Sequence, residues 1–127
     1  MRDKEYGDFR DLEVWKLCRE IREKVWKFCK SLPVEEKYRL ADQMTRSSRS
    51  ATACIAEGYG RYHYQENIQF CRQARGSLYE LIDHVSVASE CGYMEHERSE
   101  VLINEVKSAI KVLNGYIKYL KQRKENQ

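Results

Sequence analysis

The chain has 127 residues, six of them Gly and one Pro, with 34% charged and 42% hydrophobic residues. That balance suits long amphipathic helices and excludes collagen-like, disordered and turn-rich all-β classes. Lys+Arg 23 against Asp+Glu 20 leaves +3, too mild a bias to demand a polyanionic partner, so the distribution of charge has to decide. The length fits one domain over residues 1–127 that buries a core without disulfides or a structural metal. No apolar run reaches the roughly 18 residues needed to cross a bilayer, and Met1-Arg2-Asp3-Lys4-Glu5 lacks the apolar stretch of a signal peptide. A cytoplasmic protein without a membrane partner is expected.

Asp11 is placed to cap a first helix over about 12–31. Its seam of Val14, Cys18, Ile21, Val25, Phe28 and Leu32 steps by four and three, and Trp15 and Cys29 widen it. Pro33 then opens a second helix over about 35–57, where Glu35 and Glu36 favour the positive end of the dipole. Its seam is Leu40, Met44, Ser47, Ala51 and Ile55, and the run Ser47 to Cys54 is small enough for another backbone to come close. Gly58-Tyr59-Gly60-Arg61-Tyr62-His63-Tyr64 reads as a loop, with its glycines supplying left-handed conformations. A third helix over about 65–91 carries Cys71, Ala74, Leu78, Leu81, Val85 and Ala88, flanked by Phe70 and Ile82, and stops at Gly92. A fourth over about 95–122 carries Leu102, Val106, Ile110, Leu113, Ile117 and Leu120 and ends in Lys118, Lys121, Arg123 and Lys124. Four such helices joined by short connections predict an all-α fold, an antiparallel up-and-down four-helix bundle.

A di-iron site in such a bundle needs inward Glu-x-x-His pairs, and none exists. Glu80, Asp83 and His84 come nearest, but the seam around them is Leu78, Leu81 and Val85. The five cysteines are scattered without a C-x-x-C pair, which predicts free structural thiols rather than disulfides or zinc. Each lies on or beside an apolar stripe, which raises a thiol's pKa and argues against a nucleophile. Gly58-Tyr59-Gly60 lacks the strand and the last glycine of a dinucleotide fingerprint. No catalytic residue, metal site or cofactor is expected, and the chain does not read as an enzyme.

Charge is more informative. From Arg39 to Arg75 the bases are Arg39, Arg46, Arg49, Arg61, Arg72 and Arg75, with no lysine, against Asp42, Glu57 and Glu66. From Gly76 to Val106 the sign reverses, with Glu80, Asp83, Glu90, Glu95, Glu97, Glu100 and Glu105 against Arg98. Arginine gives planar, bidentate contact with phosphate and stacks on rings. Tyr62, among Tyr59, Arg61, His63 and Tyr64, adds the mixture of ring and charge on which single strands stack. Two uses of these arginines stay open: contacts with RNA or DNA, or ion pairs within and between subunits. The sign reversal and the small-residue run also suit a closed homo-oligomer.

Phe9-Arg10-Asp11-Leu12-Glu13-Val14-Trp15, Gln43-Met44-Thr45-Arg46, Ile55-Ala56-Glu57-Gly58-Tyr59-Gly60-Arg61 and Phe70 to Leu81 resemble the four-helix-bundle proteins of the 23S rRNA intervening-sequence family, over nearly the whole chain. The resemblance implies a small bacterial protein assembling as a homopentameric ring, with no catalytic residues to carry over. A similar branch comprises the accessory variability proteins of diversity-generating retroelements, which work with a reverse transcriptase and its RNA template. The function so implied is that of a non-catalytic ring that binds RNA or an RNA-DNA hybrid; the alternative is a scaffold that holds a partner such as that reverse transcriptase. The chain departs from the family pattern at Arg49, Thr52 and Cys54, where an apolar residue, a proline and an asparagine are expected.

Overall fold

The computed structural model describes residues 7–126. Four α-helices account for most of them: α1 Glu13–Cys29, α2 Leu40–Tyr59, α3 Tyr64–Glu90 and α4 His96–Glu125, with no strand among the described residues. They pack in chain order as a closed bundle in which α1 touches α2 and α4, and α3 touches α2 and α4. The apolar seams read from the sequence meet at its centre. Val14, Ile21, Val25 and Phe28 of α1 are buried with Met44 and Ile55 of α2, Leu78, Leu81 and Val85 of α3, and Val106, Leu113 and Leu120 of α4. Each large side chain so buried contributes about 1.5–3 kcal/mol.

The helix ends differ from the expected ones for identifiable reasons. Asp8, not Asp11, accepts from Arg10 N at 2.7 Å and caps a single 3-10 turn over Phe9–Asp11. Asp11 reaches back to accept from Gly7 N at 2.9 Å and Asp8 N at 3.2 Å, and α1 follows Leu12 without a side-chain cap. Pro33 opens a 3-10 turn over Val34–Glu36 instead of the second helix, and α2 begins only at Leu40. Glu36 ties this connection down: Oε1 accepts from Leu40 N at 3.4 Å and Oε2 accepts from the Tyr93 hydroxyl at 2.9 Å. The α1–α2 and α3–α4 connections are therefore joined at one end of the bundle.

Gly58 is not the end of α2. It is buried inside the helix, where an added Cβ would lie 2.7 Å from Asn67 Oδ1 and 2.9 Å from Phe70 Cβ. Gly60 follows as the C-cap with φ −76°, so the expected left-handed glycine at this turn does not occur. Gly92 does adopt it, with φ +80°, and Tyr93 N and Gly92 N donate to Ala88 O and Ser89 O at 2.9 and 3.0 Å, a Schellman stop for α3.

Half of the small-residue run of α2 is buried inside the chain. Ser47, Ser48, Ala51 and Thr52 are buried, and Ser77 Oγ donates to Ser50 Oγ at 2.9 Å where α3 crosses. The close approach permitted by the buried ones is that of α3, while Ala53 stays exposed. In place of the expected proline, Thr52 donates to Arg49 O at 3.0 Å, and α2 runs unbroken. No helix among the described residues is long and apolar enough to cross a membrane.

Candidate nucleic-acid interface

The structure does not gather the six arginines on one face. Arg39 precedes α2 at the end that carries Glu35 and Glu36, whereas Arg61 follows α2 at the other end, about 30 Å away along the axis. Arg61 is also occupied: its guanidinium lies 2.8 Å from Glu57 Oε2, 3.6 Å from Glu66 Oε2 and 5.0 Å from the Phe70 ring centroid. Arg72 and Arg75 belong to the opposite flank, next to α4, where Arg75 Nη1 donates to Asn114 Oδ1 at 2.7 Å. Tyr62 is 61% exposed, edge-on to His63. Tyr64 is buried as the first residue of α3, and its hydroxyl has no partner among the described residues. Half-buried Tyr59 packs on the core in the covering role that tyrosines take at a bundle end.

Arg46 and Arg49 sit one turn apart on the exposed face of α2 and differ in company. Arg46 Nε lies 3.1 Å from Asp42 Oδ2, beside a hydrophilic groove shared with Glu80 and His84. Carboxylates there oppose a polyanion. Arg49 lines an open groove of about 540 Å³ between α1 and α2 with Phe9, Trp15, Arg22, Thr52, Ala53 and Ala56, and no carboxylate is among those residues. Arg22 Nη1 donates to Thr52 Oγ1 at 3.0 Å while its guanidinium carbon stands 5.8 Å from the Trp15 ring centroid. Thr52 is satisfied on both sides, because it accepts from Arg22 and donates to Arg49 O. Phe9 meets Trp15 edge to face at 5.3 Å. The groove thus joins two cations to a fixed aromatic wall, and the bond to Thr52 uses one of the five N–H groups of Arg22.

Arg22, Trp15 and Phe9 are not legible as site residues from the sequence alone. Their signal lies in periodicity: Trp15, Arg19, Arg22 and Trp26 follow at spacings of four, three and four, which places two cations between two rings along one side of α1. Arg19 pairs with Glu23 at 3.1 Å, and Lys30 Nζ lies 3.4 Å from the Trp26 ring centroid. Arg49 and Thr52, two of the departures from the family pattern, both line this groove.

Other chemistry is not assembled. His84 Nε2 lies 3.9 Å from Glu80 Oε2, and no group of three metal-ligating side chains occurs among the described residues. Burial pushes the thiols of Cys18 and Cys71 up to about 12. Cys71 Sγ donates to Asn67 Oδ1 at 3.5 Å, and Asn67 Nδ2 donates to the Tyr116 hydroxyl at 3.3 Å, a buried chain across α3 and α4.

A family model described as 23S rRNA-intervening sequence protein matches residues 10–115, which include α1, α2, α3, most of α4 and every residue named in the groove except Phe9. The chain belongs to that family. A solved protein of unknown function from the S23 ribosomal protein family of Bacteroides thetaiotaomicron is similar to it at 23% identity, with TM-score 0.76, over 83% of this chain and 95% of that one. At that identity the likeness establishes the four-helix fold of an intervening-sequence protein and nothing finer. No curated protein matches the chain.

Proposed function

We propose that this intervening-sequence protein is a non-catalytic, homo-oligomeric RNA-binding protein whose α1–α2 groove receives single-stranded RNA. The observation that carries the reading is the pairing of Arg22 and Arg49 with the Phe9–Trp15 wall in a groove lined by no carboxylate. An unpaired base packs against the aromatic wall, and the phosphates on either side of it meet the two guanidiniums, the combination that single-strand sites use without reading sequence. Openness supports a polymer that runs through rather than a small molecule that is enclosed. Of the six arginines singled out by charge, Arg49 lines this groove, whereas Arg46 lies in the neighbouring one with Asp42 and Glu80. Arg61 serves mainly to hold the α2–α3 turn.

The test is titration of the full chain, carrying Trp26→Phe so that Trp15 alone emits, with a short oligouridine between about 50 and 200 mM salt. Binding is expected to quench Trp15 and to weaken with salt, with a slope near −0.7 for each phosphate contacted. Arg49→Gln, an exposed change, is expected to lower affinity about tenfold and flatten the slope. Absence of binding at the lowest salt, or binding that leaves both Trp15 emission and the Arg49→Gln affinity unchanged, defeats the proposal. Equal quenching by polyglutamate would move the groove to an acidic protein partner.

A further inference from the structure

The flank opposite the groove is basic in a different way. From Val106 to Lys124 α4 contains no carboxylate, and Lys107, Lys111, Asn114, Lys118 and Lys121 recur at spacings of four, three, four and three, all exposed. That spacing holds one face of a helix over about 21 Å. Two hydrogen bonds fix which part of α3 lies alongside: Arg75 to Asn114 at 2.7 Å, and Lys124 Nζ to Gln65 Oε1. Both belong to one antiparallel register, which brings exposed Arg72 level with Ile117, next to Lys118. The lysine stripe and the two arginines of α3 therefore form a continuous face, and its acid-free part ends towards Asp83 and Glu105.

Two glycines on these helices have no internal explanation. Gly76 and Gly115 directly follow Arg75 and Asn114, lie within α3 and α4, and would place an added Cβ within 4 Å of nothing. A glycine inside a helix costs about 0.5–1 kcal/mol relative to alanine, and it is tolerated where another backbone comes close. The exposed ring of Tyr79, one turn beyond Gly76, adds a hydroxyl donor of the kind that contacts phosphate. Lysines here act as hydrated point charges suited to phosphate without base recognition, in contrast to the ring and guanidinium pairs across the bundle.

We propose that the α3–α4 face is a second nucleic-acid surface, which takes the phosphate backbone of an RNA duplex, so that one subunit holds a paired and an unpaired segment on opposite flanks. This rests on the nucleic-acid reading above and adds a second site to it. The probes are a blunt RNA duplex of about two helical turns and the oligouridine. The variant is Lys111→Gln/Lys118→Gln/Lys121→Gln, whose three sites are exposed, with circular dichroism to confirm the helices and light scattering to follow mass.

The triple variant is expected to bind duplex at least about tenfold more weakly, with a salt slope shallower by about 0.9 for each phosphate left without its lysine, while oligouridine affinity stays within about twofold. Gly76→Ala/Gly115→Ala is expected to weaken duplex binding although the chain becomes more stable. Unchanged duplex binding in the triple variant overturns the proposal, as does an equal reduction for both probes, which would mean one shared surface. A change in oligomer mass with duplex binding intact would make the lysines a subunit contact instead. Loss of oligouridine binding alone would sink the groove reading and leave this face standing.

Discussion

The cysteines show how burial decides chemistry. Cys18 and Cys71 both face the core, but only Cys71 has a hydrogen-bond acceptor, Asn67 Oδ1, so serine at the two positions meets different surroundings. Cys18→Ser is expected to cost about 1–3 kcal/mol, because its buried hydroxyl can bond only a carbonyl of its own preceding turn, whereas Cys71→Ser keeps the Asn67 bond and costs less; urea unfolding separates the two. Burial also makes stability depend on pH. A thiol raised from 9.0 to about 12 stays protonated in the folded chain while the unfolded chain ionises, so the folded state binds more protons as pH climbs above 9. Stability then falls by about 1.4 kcal/mol per unit for each thiol, from near pH 9 until the folded thiols ionise near 12. Unfolding at pH 8 and pH 10 is expected to differ by about 2–3 kcal/mol, and Cys18→Ala/Cys71→Ala to remove most of that difference.

Among the elements, α2 is the one whose periodicity is readable in the sequence and whose ends are not. Leu40, Met44, Ser47, Ala51 and Ile55 are buried as their spacing requires, since a helix that packs on one side must repeat every three to four residues. Its boundaries depend on tertiary contacts. Glu36 takes Leu40 N and the Tyr93 hydroxyl from a connection far away in sequence, and Gly58 looks like a stop only until Asn67 and Phe70 are seen against it. The glycines of the α-helices test this directly. Gly58→Ala improves local helix propensity by about 1 kcal/mol but forces a Cβ to within 2.7 Å of Asn67 Oδ1 and 3.1 Å of Asn67 O, so net destabilisation is expected. Gly115→Ala, with nothing within 4 Å, is expected to stabilise by about 0.5–1 kcal/mol. A thermal melt in which both substitutions shift in the same direction would contradict this account of α2 against α3.

Site residues are legible in the sequence to the extent that they act through one helix. Arg46 and Arg49 can be read as a pair on α2, but their different value rests on Asp42 beside one and on Trp15 and Arg22 of another helix beside the other. Arg61 has the sequence surroundings of a ligand residue and is held by Glu57 and Glu66, one of them across the turn. The lysines of α4 are visible as a run at the helix end, yet their connection to Arg72 and Arg75 depends on the register that Asn114 and Gln65 set.

At the scale of the whole molecule, the proposed uses of its surfaces must be compatible with assembly. The buried small residues of α2, Ser47, Ser48, Ala51 and Thr52, are not available for a subunit contact. The lysine face, if it binds RNA, is not available for one either. Most of the exposed large apolar side chains lie at the end that holds the α1–α2 and α3–α4 connections: Trp26, Val34, Tyr38, Val87 and Val101, with Val34 and Tyr38 at 81% and 82%. Several such side chains at one end of a small protein make it the contact expected of the proposed assembly. Apolar contacts are not screened, whereas charge pairs lose reach as the Debye length falls to about 3 Å at 1 M salt. The oligomer, expected to be a pentamer of 15.2 kDa chains, should therefore keep its mass from about 0.05 to 1 M salt, over which RNA binding disappears. Val34→Asp/Val101→Asp, placed where the folded chain is already open to water, should reduce it to smaller species without unfolding it. Light scattering that finds the 15.2 kDa chain alone at micromolar concentration would refute the assembly, and a mass that falls with salt while the aspartates do nothing would return the contact to the charged faces.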